Sequence, residues 1–100
     1  MATKAASRKV YELIKNIPAG RVMTYGQIAR ITGIASPRAV GQILHRNEQP
    51  EIYPCHRVVF ADGSLSEAFA FGGSNEQKIR LMSEGVSFKG DKVNMKLHLL

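Results

Sequence analysis

Two helix-capping signatures within a dozen residues constrain this chain more than any other feature. Thr24 opens the run TYGQIARIT, with Gln27 three residues on and Gly33 at its close. Ser36-Pro37 then opens PRAVGQILH. A threonine with glutamine at the third following position is a capping box, and glycine after the last periodic residue supplies a left-handed stop. A serine before proline combines an N-cap with the residue that best tolerates the first helical position. These signals predict one helix over about Tyr25–Thr32 and a second from Pro37 to about His45. Helix, short turn containing Gly, helix is the spacing of a helix-turn-helix. On the second helix Val40, Ile43 and Leu44 share an apolar face, while Arg38, Gly41, Gln42 and His45 share the other. Ordinary packing of two helices is the commoner use of such a pair, so the motif alone does not establish a DNA reader.

The flanking segments read as small elements around that pair. Val10, Leu13, Ile14 and Ile17 recur at helical spacing, predicting a first helix from about Ser7 to Ile17 that ends at Pro18-Ala19-Gly20. Val22-Met23 reads as a short strand. After Asn47 a proline-interrupted loop leads to the apolar run Val58-Val59-Phe60, with Ala61-Asp62-Gly63 turning it toward Ser64-Leu65 as a hairpin. Residues 66–73 fit no period. Ser74 and Gln77 read as another capping box, opening a helix to about Glu84 with Gly85 as its stop. Val86 to Phe88, then Val93, Met95, Leu97 and Leu99, alternate as a terminal hairpin around Lys89-Gly90-Asp91. The expected fold class is mainly α with small β elements, a winged helix-turn-helix, in a single domain over residues 1–100.

Composition excludes several classes. With 44% hydrophobic and 22% charged residues the chain is globular in character rather than disordered. No stretch approaches the roughly 20 apolar residues of a membrane span, and the N-terminus lacks the apolar core of a signal peptide. A single cysteine, Cys55, precludes an internal disulfide. With three histidines besides, a cysteine-rich zinc site is not expected, and neither is any other metal site. The reading is a soluble intracellular protein. Charge is unevenly placed: residues 1–46 hold eight Lys and Arg and one acid, whereas residues 47–100 hold six basic and seven acidic residues. A basic half suits a polyanion, because each neutralised phosphate releases counterions. The alternative is a merely soluble basic protein.

Pro54-Cys55-His56-Arg57 is the one dense cluster of reactive groups. A thiol is only a few per cent thiolate near neutral pH, so a nucleophilic cysteine needs a base or a positive environment. His56 is the candidate base and Arg57 the candidate source of positive field. In an extended segment, however, neighbouring side chains point to opposite faces, so Cys55 and His56 would need a bend or a bridging water. On spacing alone the balance favours a small buried cysteine beside a chance histidine.

IPAGRVMTYGQIA, SPRAVGQIL, RNEQPEIYPCHRVV and an EG pair after a helix occur in that order. Together they resemble the catalytic domain of the O6-alkylguanine-DNA alkyltransferases and their alkyltransferase-like relatives, from about Arg8 to the C-terminus. The resemblance implies a helix-turn-helix docked in the minor groove of duplex DNA and a damaged guanine rotated into a pocket. Arg38 would then be the intercalating arginine, and Tyr25 would press on the adjacent phosphate. Ala39 and Gly41 would let the helix backbone approach the groove, with Gln42 and Thr24 completing the DNA-facing set. Cys55 would accept the alkyl group, His56 would take its proton through water, and Glu84 would orient His56. Asn47 would tie the cysteine loop to the helix-turn-helix. Leu44, Pro54, Arg57, Val58 and Phe71 would form the substrate pocket. The thioether product would be permanent, making a single-turnover reagent that needs no cofactor.

The sequence departs from the family pattern in three places. Gln42 stands where a second glycine is common. Ala70-Phe71 precedes Gly72-Gly73 where many alkyltransferases have Tyr-Ser, so a proton donor to O6 is missing there and Phe69 or Phe71 could only stack. The chain is expected to lack the N-terminal domain of many alkyltransferases, as alkyltransferase-like proteins do. Those relatives replace the acceptor cysteine and act as damage sensors for nucleotide excision repair, whereas this chain keeps it. Three readings therefore stand: an alkyltransferase, a non-enzymatic sensor that recruits excision repair proteins, and a plain winged-helix DNA-binding module with an inert cysteine. The expected partner is double-stranded DNA containing O6-alkylguanine, bound by a monomer. The expected compartment is cytoplasmic and nucleoid-associated, or nuclear in a eukaryote.

Overall fold

The apolar stripe of the first helix decides where the core lies. In the computed structural model, which describes residues 4–67, 69 and 71–100, helix α1 spans Lys4–Lys15 and buries Val10 and Ile14 completely. It stops two residues before the expected end. Ile17 stays buried all the same, held by a final turn in which its N–H donates to Ile14 O (3.0 Å). Strand β1 (Met23–Thr24) follows, one residue later than expected. Val22 instead bridges to Leu99 near the C-terminus.

Helices α2 (Tyr25–Thr32) and α3 (Pro37–His45) have the expected bounds. Thr24 and Gln27 form the reciprocal capping box, with Gln27 N–H donating to Thr24 Oγ1 (3.0 Å) and Thr24 N–H donating to Gln27 Oε1 (2.8 Å). Gly33 ends α2 at φ +76°, a left-handed conformation that glycine adopts without steric cost. The Ser36 hydroxyl accepts from Ala39 N–H (3.2 Å), and Pro37 starts α3. Val40, Ile43 and Leu44 turn inward against α1 and α2.

A 3-10 turn at Cys55–Arg57 leads into β2 (Val58–Val59), which pairs with β1 in parallel, Met23 opposite Val58. The hairpin expected between 58 and 65 does not form; β2 takes its partner from β1 instead. The turn itself exists, with Gly63 N–H donating to Phe60 O (2.9 Å). Gly63 sits at φ +88°, and a Cβ there would lie 2.7 Å from Val93 O, so the wing backbone closes against it. Because side chains alternate along a strand, Val58 enters the core of the helix pair. Val59 joins a second core with Val22, Leu81, Val86 and Val93.

Helix α4 spans Gly73–Ser83. It starts one residue before the expected Ser74, and Gly72 at φ +126° stands at its N-cap with no side-chain hydrogen bond. The expected Ser74–Gln77 capping box is absent because Gln77 is buried and points elsewhere. Phe88–Lys89 (β3) and Lys92–Val93 (β4) make the expected antiparallel hairpin, the wing. The alternation beyond it does not continue as strand: Met95–His98 form a short helix, α5, and Leu97 faces solvent. This turn lets the chain return to Val22, whose N–H donates to His98 O (2.8 Å). No described helix is long and apolar enough to cross a membrane.

Candidate active site

Asn47 starts the site just after α3. It is buried, its Nδ2 donates to Tyr53 O (2.8 Å), and its Oδ1 accepts from Gln49 N–H (3.0 Å). The loop leading to Cys55 is thereby strapped to the end of the helix-turn-helix. The 3-10 turn supplies the bend that an extended Cys-His pair would lack. Cys55 is buried as a free thiol. Burial pushes its pKa up, partly offset by a hydrogen bond with the Asn47 side chain and by the charge of Arg80. At rest it is a protonated thiol, so any nucleophilic use requires a base.

His56 and Arg57 converge on one carboxylate. His56 Nε2 lies 2.9 Å from Glu84 Oε1; a carboxylate only accepts, so this nitrogen carries the proton. Nδ1 is then the lone-pair nitrogen. It is buried and has no hydrogen-bond partner among the described residues. Burial holds the His56 pKa below its ordinary value against the opposing pull of Glu84, leaving a neutral imidazole. Arg57 Nε donates to Glu84 Oε1 (3.0 Å), its Nη2 donates to Glu84 Oε2, and its Nη1 donates to Ile17 O (2.7 Å). Burial works to raise the Glu84 pKa, but the Arg57 and His56 contacts outweigh it and the net shift is downward. Arg57 is thus committed to orienting Glu84 rather than facing the thiol. The cation whose charge reaches Cys55 is Arg80.

A cavity of about 580 Å³ opens beside Cys55. Tyr25, Arg38, Gly41, Gln42 and Leu44 line it, so the exposed face of α3 and the thiol share one concavity. Of the residues expected to form the pocket, Leu44 lines it, whereas Pro54, Arg57, Val58 and Phe71 lie outside its lining. Val58 faces the helix core, and Phe71 stacks edge-on against Phe69 with ring centroids 5.6 Å apart. Thr24 is buried with its hydroxyl committed to the α2 cap, and Ala39 is half-buried outside the lining. Tyr25 packs on Phe60 (5.1 Å); burial raises its pKa, against a hydrogen bond with the Ser66 side chain. Ala70, half of the Ala70-Phe71 departure, lies outside the described residues.

Other residues line the cavity as well: His45 from the outer face of α3, Phe69, expected only to stack, and Arg46, Phe60 and Ser66, which the sequence reading did not assign. Arg80 stands over the Phe69 and Phe71 rings at 5.3 and 5.5 Å, a cation–π contact that braces the wall carrying Phe69. Gln77 is the most consequential omission. Its Nε2 donates to His56 O (3.1 Å) and Val58 O (2.9 Å), and its Oε1 accepts from Ser66 N–H (3.0 Å). One buried amide therefore joins the cysteine turn to the cavity rim. The available signal was a polar residue four positions before Leu81, on the buried side of a helix.

Comparison with known proteins agrees with this geometry. Residues 5–86 match the family model described as 6-O-methylguanine DNA methyltransferase, DNA binding domain. A methylated-DNA--protein-cysteine methyltransferase of Thermococcus kodakarensis is 46% identical over 80 residues, covering 79% of this chain and 44% of that protein. Alkyltransferase-like protein 1 of Schizosaccharomyces pombe is 44% identical over 80 residues, covering 78% and 73% respectively. The chain spans about half the length of the methyltransferases it matches. Its fold superposes on the crystal structure of S. pombe Atl1 in complex with damaged DNA containing O6-carboxymethylguanine with a TM-score of 0.86 at 33% identity. That match covers 100% of this chain and 98% of the other. The chain belongs to the O6-methylguanine DNA methyltransferase family, through its DNA-binding domain.

Proposed function

We propose that this protein recognises O6-alkylguanine in duplex DNA and transfers the alkyl group to Cys55. In this reading α3 enters the minor groove, Arg38 fills the space left by the rotated base, and Tyr25 presses on the neighbouring phosphate. The base occupies the cavity beside the thiol. The Cys55 proton passes through a water to His56 Nδ1 as Sγ attacks the alkyl carbon. The Sγ–C bond forms while the C–O6 bond breaks, its electron pair stays with the purine, and the purine takes up one proton. Glu84 holds the imidazole and balances the charge it acquires. Proximity in the cavity offsets the weakness of a buried thiol as nucleophile. The observation that carries the reading is the buried thiol at a cavity shared with Arg38 and Tyr25, next in sequence to a histidine already oriented by a carboxylate.

A second reading is a damage sensor that binds the lesion and passes it to nucleotide excision repair without chemistry. The fold match over the whole chain to the S. pombe complex favours it. Intact-protein mass spectrometry after mixing with a duplex containing one O6-methylguanine separates the two. Transfer predicts the mass of one added methyl group on the wild type, mapped to Cys55, and none on Cys55→Ser. No gain, with tighter binding to the lesion duplex than to undamaged DNA, supports the sensor.

A further inference from the structure

The ion pairs of this protein are segregated. Among the described residues every one joins groups from His56 onward: His56 and Arg57 with Glu84, Lys78 with Asp91, Arg80 with Glu76, Lys92 with Asp62. Among the described residues none of these ion pairs involves a lysine or arginine between Lys4 and Arg46. Three of those cations are gathered rather than dispersed. Lys4 and Arg8, one helical turn apart on α1, line a cleft of about 410 Å³ with Arg46, which follows α3. Tyr11 and Tyr53 also line it, with ring centroids 5.2 Å apart, and Glu12 is the one acid. Placing three cations around one cleft with a single carboxylate costs self-repulsion in the free protein, which a bound polyanion relieves.

The cleft is rigidly related to the DNA-facing helix. The Tyr11 hydroxyl donates to Ile43 O on α3 (2.7 Å), tying α1 to that helix at the level of the cleft. Arg46 lines both this cleft and the cavity beside Cys55, so the two concavities meet at one side chain. From this continuity we infer that the Lys4–Arg8–Arg46 cleft holds backbone phosphates of the same DNA duplex whose minor groove receives α3. It is a second contact surface outside the helix-turn-helix. The inference rests on the reading of duplex DNA as the partner, but not on any chemistry at Cys55. A cleft whose cations reach phosphates adds affinity without base readout and extends the footprint past the rotated nucleotide.

The test compares two double variants of the full chain on an undamaged duplex by fluorescence anisotropy across a salt series. Lys4→Gln/Arg8→Gln removes two cleft charges. Lys9→Gln/Lys15→Gln removes two other exposed charges from α1 that do not line the cleft. Glutamine has nearly the helix propensity of lysine and arginine, so both variants keep α1. The cleft variant should lower the slope of log affinity against log salt by about 1.8, at about 0.9 per phosphate contact. The control pair should leave the slope unchanged. Equal behaviour of the two pairs overturns the proposal, as does an unchanged slope in the cleft variant, which would direct the cleft toward an acidic peptide. Wild-type protein that binds no duplex overturns both this proposal and the DNA reading. A normal slope difference without methyl transfer to Cys55 upholds the cleft and defeats only the transferase reading.

Discussion

The helix-turn-helix and the cysteine turn lie side by side, yet they are held together by different kinds of bond. In α2 and α3 the organising contacts are local: Thr24 with Gln27, Ser36 with Ala39, each spanning three residues. Around Cys55 they are distant in sequence. Arg57 reaches Ile17 across 40 positions, His56 reaches Glu84 across 28, and Gln77 reaches His56 across 21. The caps of the first region depend on residues a few positions apart; the bonds of the second exist only once the chain has folded. A helix pair capped this way is robust to distant substitution, whereas the cysteine turn is sensitive to residues that never touch the cavity.

The sharpest way to break that contrast is to remove Arg57. Arg57→Met keeps the length of the stem but takes both guanidinium contacts from the Glu84 carboxylate, leaving it His56 alone, and removes the donor to the Ile17 carbonyl. Removing one partner of such a pair costs about 3–5 kcal/mol. A urea midpoint within experimental error of the wild type would show that the long-range bonds are dispensable. The pH dependence follows from the same group of residues. His56 has a lowered pKa, so the unfolded chain binds its proton first and stability falls as pH drops below 6.5. Glu84 is also lowered; its contribution is present above 4.5 and is lost as pH falls through the folded value. Both act in the same direction, so the wild type should lose stability steadily on acidification. Cys55, raised by burial, adds the opposite slope above 9.0, where the unfolded thiol ionises first. In Arg57→Met the carboxylate loses the strongest partner holding it ionised, and the acid-side slope should flatten.

Gln77→Met comes next. The volume is nearly kept, but two carbonyls and the Ser66 N–H lose their partner in the interior. The expected loss is about 2 kcal/mol. It should be accompanied by faster amide hydrogen exchange at Ser66 while the amides of α2 and α3 keep their protection. Equal loosening of both regions would show that the cysteine turn and the helix pair open as one unit. That outcome would erase the distinction drawn from their bonds.

What could be read from the sequence follows the same division. Bounds of α2 and α3, the Gly33 stop, the inward face of Val40, Ile43 and Leu44, and the wing around Gly90 were all legible, because each depends on residues a few positions apart. The Ser74–Gln77 pair carried the same letters as a true cap and misled, since nothing local says that Gln77 faces inward. The 58–65 hairpin failed for a related reason. Val58-Val59 has the composition of a strand, but composition does not say whether its partner is the next segment or β1, more than 30 residues back. In the site, Cys55, His56, Glu84 and Leu44 could be gathered through the resemblance. Arg57 was read as a source of positive field beside the thiol and, through the resemblance, as a pocket residue; the structure commits it to Glu84. Phe69 and Arg80 were invisible to periodicity, as their contact joins an irregular segment to a helix.

The smallest effect belongs to the local region and tests the contrast from the other side. Thr24→Ala removes the hydroxyl that accepts from Gln27 N–H, and losing such a cap costs about 1 kcal/mol. Thr24 also sits in β1, paired with Val59, but that pairing uses its backbone and survives the substitution. The loss should therefore stay with α2: a lower urea midpoint, faster exchange in the first turn of that helix, and no change in the protection of Ser66. Combined with Gln77→Met, the two costs should add, because no side-chain hydrogen bond joins Thr24 or Gln27 to Gln77 or the cysteine turn, and the β1–β2 backbone pairing is untouched by either substitution. If they fall short of additivity, α2 feels the Gln77 bonds through Tyr25, which follows the cap and shares a hydrogen bond with Ser66. Tyr25 would then be the residue that couples the cysteine turn to α2 and α3.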